Sequence, residues 1–109
     1  MAKYLIKASY TAEGLQGLMK AGGTSRVSAI EKALAGVGGS VESFYFAFGT
    51  DDVYVIADGI DNVGAMSLAA AVNSSAAISS YETVVLLSPA EVDKAMNVSV
   101  DYAPPGAKV

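Results

Sequence analysis

Three observations predict an α+β fold, one domain with helices over one face of a four-stranded antiparallel sheet. Two strand-forming runs between Ser40 and Gly59 flank the break Gly49-Thr50-Asp51-Asp52, which reads as a β-hairpin. Helical-period segments stand before and after that hairpin, each followed by a strand, so the chain alternates between the two structures. The 109 residues are 52% hydrophobic and only 17% charged, where an ordinary soluble domain carries about 25% charge. A small domain so poor in charge is expected to hide part of its surface against a second copy of itself.

Each element follows from local signals. Lys3 to Tyr10 alternates as a strand, with Tyr4, Ile6, Ala8 and Tyr10 on one face and Lys3, Leu5, Lys7 and Ser9 on the other. Thr11 is the expected N-cap of a helix from Ala12, and Glu13 sits in the first turn where the helix dipole favours it. Leu15, Leu18 and Met19 mark that helix until Gly22-Gly23 stops it. Thr24 or Ser25 restarts a second segment, marked by Val27, Ile30, Ala33, Leu34 and Val37 and ended by Gly36, Gly38 and Gly39.

The hairpin strands are Val41 to Phe48 and Asp52 to Ala57, both apolar on nearly every residue, so they need cover on two sides. Asp61 or Asn62 caps the next helix, which is apolar almost all round from Val63 to Val72. Tyr81 to Leu87 is the last strand. Ser88-Pro89-Ala90-Glu91 is a capping box with proline at the first helical position, opening a short helix to about Val98. The tail from Asp101 to Gly106 is extended by its paired prolines, and it is expected either to lie across a neighbouring subunit or to stay disordered.

The order is β-α-α-β-β-α-β-α. Taking the two segments around Gly22-Gly23 as one crossover leaves β-α-β-β-α-β, the split βαβ arrangement of ferredoxin-like folds. Residues 1–100 form the domain and 101–109 the tail. The uncovered sheet face, rich in Val, Leu, Tyr or Phe, is expected to pair with a second subunit, giving a homodimer or a higher homo-oligomer.

Composition excludes several functions. A net charge of −4 and scattered basic residues offer nothing to nucleic acid or an anionic membrane. Without Cys or His there are no disulfides, thiolate sites, thiol nucleophiles or imidazole acid–base groups. The N-terminal MAKYLIKASY is too short and too alternating for a signal peptide, and Val63 to Ile78 is broken by Asn73, Ser74 and Ser75. A cytoplasmic protein is expected, with no cofactor and no metal.

Several collinear stretches resemble the bacterial and archaeal GYD-domain family: KYLIKASYTAEGLQGLMKAGG, Arg26, GGSVESFYFAFGTDDVYVIAD, Asp61-Asn62, LLSPAEVD and the tail YAPPG. The resemblance implies a ferredoxin-like fold that associates through its sheet, as dimeric α/β-barrel proteins do, and implies no particular reaction. The family name implies Gly-x-Tyr-Asp at the hairpin. Here Gly49 and Asp52 match, and Asp51 stands at the tyrosine position.

Candidate chemistry rests on a few side chains. Asp51, Asp52 and Asp58, with Asp61 nearby, offer carboxylates for a general base or a hard metal, or serve as turn formers and a helix cap. Asp52 has the better functional claim through its family position. Arg26, the only arginine, is either an anion clamp at a helix start or the partner of Glu42, Glu31 or an aspartate. Of six tyrosines, Tyr10 and Tyr45 are the candidates to border a pocket, the alternative being packing in the core or an interface. Gly36-Val37-Gly38-Gly39 follows a helix and precedes a strand, the reverse of a phosphate-binding turn. The serine pairs at Ser74-Ser75 and Ser79-Ser80 have no base beside them.

The expected function is a homo-oligomer that binds a small molecule or serves a structural role. Its ligand site is expected at Tyr10, Arg26, Tyr45 and Asp52. The alternative is a cofactor-independent enzyme acting on a small organic substrate in a dimeric α/β barrel.

Overall fold

A computed structural model describes residues 2–107. The strands are β1 (Ala2–Tyr10), β2 (Ser40–Phe46), β3 (Val53–Ile60) and β4 (Ile78–Leu86). The helices are α1 (Ala12–Ala21), α2 (Gly23–Ala35), α3 (Asn62–Asn73) and α4 (Pro89–Met96). The sheet runs β2-β3-β1-β4 with every neighbouring pair antiparallel, consistent with the ferredoxin-like fold.

Alternation along the strands places the core. Tyr4, Ile6 and Ala8 of β1 and Val53, Val55 and Ala57 of β3 are buried under Leu34 of α2 and Ala65 and Leu68 of α3. Tyr4, whose ring is in this core, donates its hydroxyl to Asn62 Oδ1 at 2.6 Å, so the one polar atom it buries is satisfied. Three expected caps are present: Thr11 accepts from Gly14 N–H, Asp61 from Gly64 N–H, and Ser88 forms a reciprocal capping box with Glu91. The restart expected at Thr24 or Ser25 falls instead at Gly23, where Gly22 caps α2 without a side-chain bond.

Strand ends differ from expectation by a few residues, each for a pairing reason. β2 stops at Phe46 because the Ala47 N–H to Asp52 carbonyl bond already closes the hairpin, leaving the Phe48 side chain in solvent. β3 runs on past Ala57 because Asp58 pairs with Ser40 and Ile60 with Ala2. β4 starts at Ile78 because Ile78 and Ser80 find partners in Tyr10 and Ser9, which outweighs the poor strand preference of serine. α4 ends at Met96, short of Val98. Among the described residues no helix is long and apolar enough to cross a membrane.

The open face of the sheet carries three rows. Ser43, Ile56, Leu5 and Val84 lie side by side as a mostly apolar row. On one side run Tyr45, Tyr54, Lys7 and Glu82, with Lys7 and Glu82 ion-paired at 3.1 Å. On the other, Lys3 bonds to Glu42 and approaches Asp58 to 3.7 Å.

Candidate functional site

The principal cavity, about 490 Å³, opens between the helices at the Tyr10 end of the sheet. Its walls are one face of each of three helices. α1 contributes Gly14, Gly17, Leu18 and Ala21; α2 contributes Arg26, Ala29, Ile30 and Ala33; α3 contributes Leu68, Ala71 and Val72. These positions recur three or four apart, which is what one helix face presents. Most are Gly or Ala, so the helices meet without filling the space between them. A Cβ on Gly17 would touch nothing within 4 Å. The cavity narrows below into a pocket of about 40 Å³ floored by Ile6, Ala8, Phe44, Val53, Val55 and Tyr81.

Two backbone features hold the mouth in shape. Gly22, at φ 88°, serves at once as the C-cap of α1 and the N-cap of α2, turning the chain so that Arg26 faces inward. Gly14 lets α1 lie against the segment before β4: a Cβ there would come within 2.1 Å of the Ala77 carbonyl oxygen. The Thr11 N–H to Ala77 carbonyl bond at 2.9 Å and the Thr11 hydroxyl to Ala76 carbonyl bond at 3.0 Å fasten the same contact.

Asp52 works as a clasp. Its Oδ2 accepts from the Tyr10 N–H at 2.9 Å and its own N–H donates to the Ala8 carbonyl at 2.9 Å, tying the end of β1 to the hairpin. Asp51 accepts a long bond from the Ser9 hydroxyl at 3.4 Å, which also reaches the Thr50 carbonyl at 3.2 Å. Asp58 faces Lys3 and Asp61 caps α3, so the four carboxylates serve turn, clasp, ion pair and cap. Among the described residues no three His, Cys, Asp or Glu side chains gather as a metal site.

The cavity's polar groups are few. Burial pushes the Tyr10 phenol up, opposed by the nearby Arg26 charge and reinforced by Asp52. Tyr81 is pushed up by burial too, tempered by the Thr83 hydroxyl, yet among the described residues its own hydroxyl finds no hydrogen bond of normal geometry. Both phenols are therefore neutral donors at physiological pH. Arg26 is half-buried on the wall, and none of the ion pairs among the described residues includes it. Glu42, one expected partner, is taken by Lys3. Glu13 stands at the exposed rim.

Of the four residues expected to form a site, Tyr10 and Arg26 line the cavity and Asp52 positions Tyr10. Tyr45 does not join them. It lies on the open face beside Tyr54 and is 71% exposed. The neighbouring Phe44 packs on the core, and strand alternation sends Tyr45 the other way. Sequence reasoning left out Tyr81 and the small residues of the helix walls. The helix-period spacing of Gly14, Gly17 and Ala21 is a signal that could have found the wall residues of α1; it carries no information on Tyr81, which lies on β4.

The GYD domain profile matches residues 4–96, most of the 109-residue chain. The chain belongs to the GYD-domain family. No curated protein matches it. In this GYD domain the hairpin aspartate of the expected pattern has a structural job, since Asp52 orients the strand end that bears Tyr10. Asp51, at the expected tyrosine position, has the Ser9 hydroxyl as its hydrogen-bond partner among the described residues.

Proposed function

We propose that this GYD-domain protein is a homo-oligomer that binds a small, largely apolar organic monoanion in the cavity between α1, α2 and α3. The supporting observation is the coincidence of Arg26, in no ion pair among the described residues, with the Tyr10 and Tyr81 phenols on largely apolar walls. An unpaired buried hydroxyl costs about 1–3 kcal/mol, which an acceptor on a ligand would recover. A carboxylate suits the planar guanidinium fork, and the apolar walls suit an aliphatic or aromatic body. One arginine with Glu13 at the rim favours a single negative charge over a polyphosphate.

Self-association is read from the open sheet face. Its apolar row between two ion-paired rows is self-complementary under a two-fold axis, and two such faces together close an α/β barrel. No observation favours the enzyme alternative, because neutral phenols make poor bases and Asp52 is engaged by the Tyr10 N–H.

Calorimetric titration with aliphatic and aromatic monocarboxylates, against the matching amides, tests the binding reading. Saturable binding of an acid but not its amide is expected. Arg26→Gln should weaken it by about tenfold or more, since hydrogen bonds to charged groups contribute about 1.5–3 kcal/mol. Tyr81→Phe should weaken binding while leaving the free protein equally or more stable, because the substitution removes an unpaired buried hydroxyl. Equal binding by Arg26→Gln, or none by the wild type, would overturn the reading.

A further inference from the structure

The C-terminal segment does not pack on the domain that carries it. No residue of α4 is buried, and α4 makes no extensive contact with any other element. Its capping box and Pro89 define the helix, but an isolated helix of 8 residues is marginal in water without packing. Val92 and Met96 lie on one face of it, one turn apart and exposed, and Tyr102 beyond is 70% exposed.

Dimensions make the same point. The radius of gyration is 17.5 Å, with extents of 60 × 31 × 22 Å, where a compact chain of this length measures about 13 Å. The accessible surface is 7420 Å², where a compact 11.1 kDa protein exposes about 5,700 Å². The excess is well above the roughly 800 Å² that each partner commits to a stable interface.

A matching acceptor exists on the same chain. α3 holds no charged residue, unlike α1, α2 and α4, yet Val63 and Met66 on its outer face are 73% and 68% exposed. A solvent-facing helix normally carries charge on that side. The start of α3 and the origin of α4 lie at one end of the sheet, since Ile60 pairs with Ala2 and Leu86 with Lys3.

We infer that residues 89–107 form an exchange arm that seats Val92 and Met96 of one copy on Val63 and Met66 of α3 in another. Donor and acceptor at one end of the sheet let a two-fold axis make the exchange reciprocal, so each copy covers the other's charge-free helix. The arm is a poor membrane anchor, because Glu91, Asp93 and Asp101 outnumber Lys94 and an anionic lipid surface would repel it. This contact is distinct from the open sheet face and stands without it.

The absence of native cysteine makes a direct test clean. Full-length Met96→Cys is mixed with full-length Met66→Cys under mild oxidation, with Lys20→Cys replacing the second partner as control. A disulfide-linked dimer joining the first two chains, and not the control, is expected. In a full-length chain carrying both Met66→Cys and Met96→Cys, linkage only within single chains would overturn the inference in favour of the arm folding back, and so would no linkage above control in the mixture. A second full-length variant, Val92→Glu with Met96→Glu, should reduce the mass seen by light scattering. Leu5→Glu separates the two contacts: if it leaves the mass unchanged while the arm variant lowers it, the sheet-face reading fails and the arm stands. An arm variant of wild-type mass would overturn the arm instead.

Discussion

The two faces of the sheet are made from the same four strands and behave as different materials. On the covered face Tyr4, Ile6, Ala8, Val53, Val55 and Ala57 are buried beneath α2 and α3. On the open face the residues between them, Leu5, Lys7, Tyr54 and Ile56, are only part-buried and mix apolar groups with ion pairs. The covered face is the one that makes the fold, because apolar area removed from water contributes about 25 cal/mol per Å². The open face adds little to a single chain, since exposed ion pairs are weak. What it can do is choose a partner. Charge rows flanking an apolar row penalise wrong registers more than they stabilise the right one.

The sharpest way to break this contrast is a cavity on the covered side. Leu34, with no exposed surface, sits at the centre of the core, and Leu34→Ala should cost about 2–5 kcal/mol in urea unfolding. A cost below that of an ordinary surface substitution would show that the helices do not carry the fold.

On the open side Leu5→Glu should change the intrinsic stability of one chain by only about 0.5 kcal/mol. Its signature is instead in mass action. The unfolding midpoint of the wild type should rise with protein concentration, and that of Leu5→Glu should rise less or not at all. Identical concentration dependence in both would remove the sheet face from the assembly.

The smallest effect is electrostatic. Glu82 raises the Lys7 pKa above its ordinary 10.5 through a hydrogen bond, and Glu42 does the same for Lys3. A raised folded-state value means that this contribution is complete below the unfolded value of 10.5 and is lost as pH rises through the folded one. Stability followed into that alkaline range should therefore fall. Glu82→Gln should fall less steeply, because the hydrogen bond to the carboxylate is the main cause of the Lys7 shift. An unchanged slope would mean that the Lys7–Glu82 pair is not maintained in solution.

Most of the fold was legible in residue order. Thr11, Asp61 and Ser88 announce three helix starts by chemistry that acts within three residues, so no tertiary information is needed to read them. The alternation of Tyr4, Ile6 and Ala8 against Lys3, Leu5 and Lys7 separates the faces of β1 in the same local way. The site was legible in part. Arg26 and Tyr10 come together because a helix start and a strand end converge, while Tyr45 goes to the opposite side by a single residue of register.

The sequence by itself determined the element order, the caps, the lack of thiol and imidazole chemistry, and the shortage of charge that argues for association. Only tertiary structure decided that Asp52 holds the backbone of Tyr10, that Tyr81 buries a hydroxyl with no hydrogen bond of normal geometry among the described residues, and that Gly14 lies against Ala77. It also decided that α4 stands away from its own domain. The physical reason is range. Caps, turns and alternation are set by neighbours along the chain, whereas a clasp, a cavity or an uncovered helix depends on residues brought together from 40 or more positions apart, as Tyr10 and Asp52 are by a separation of 42.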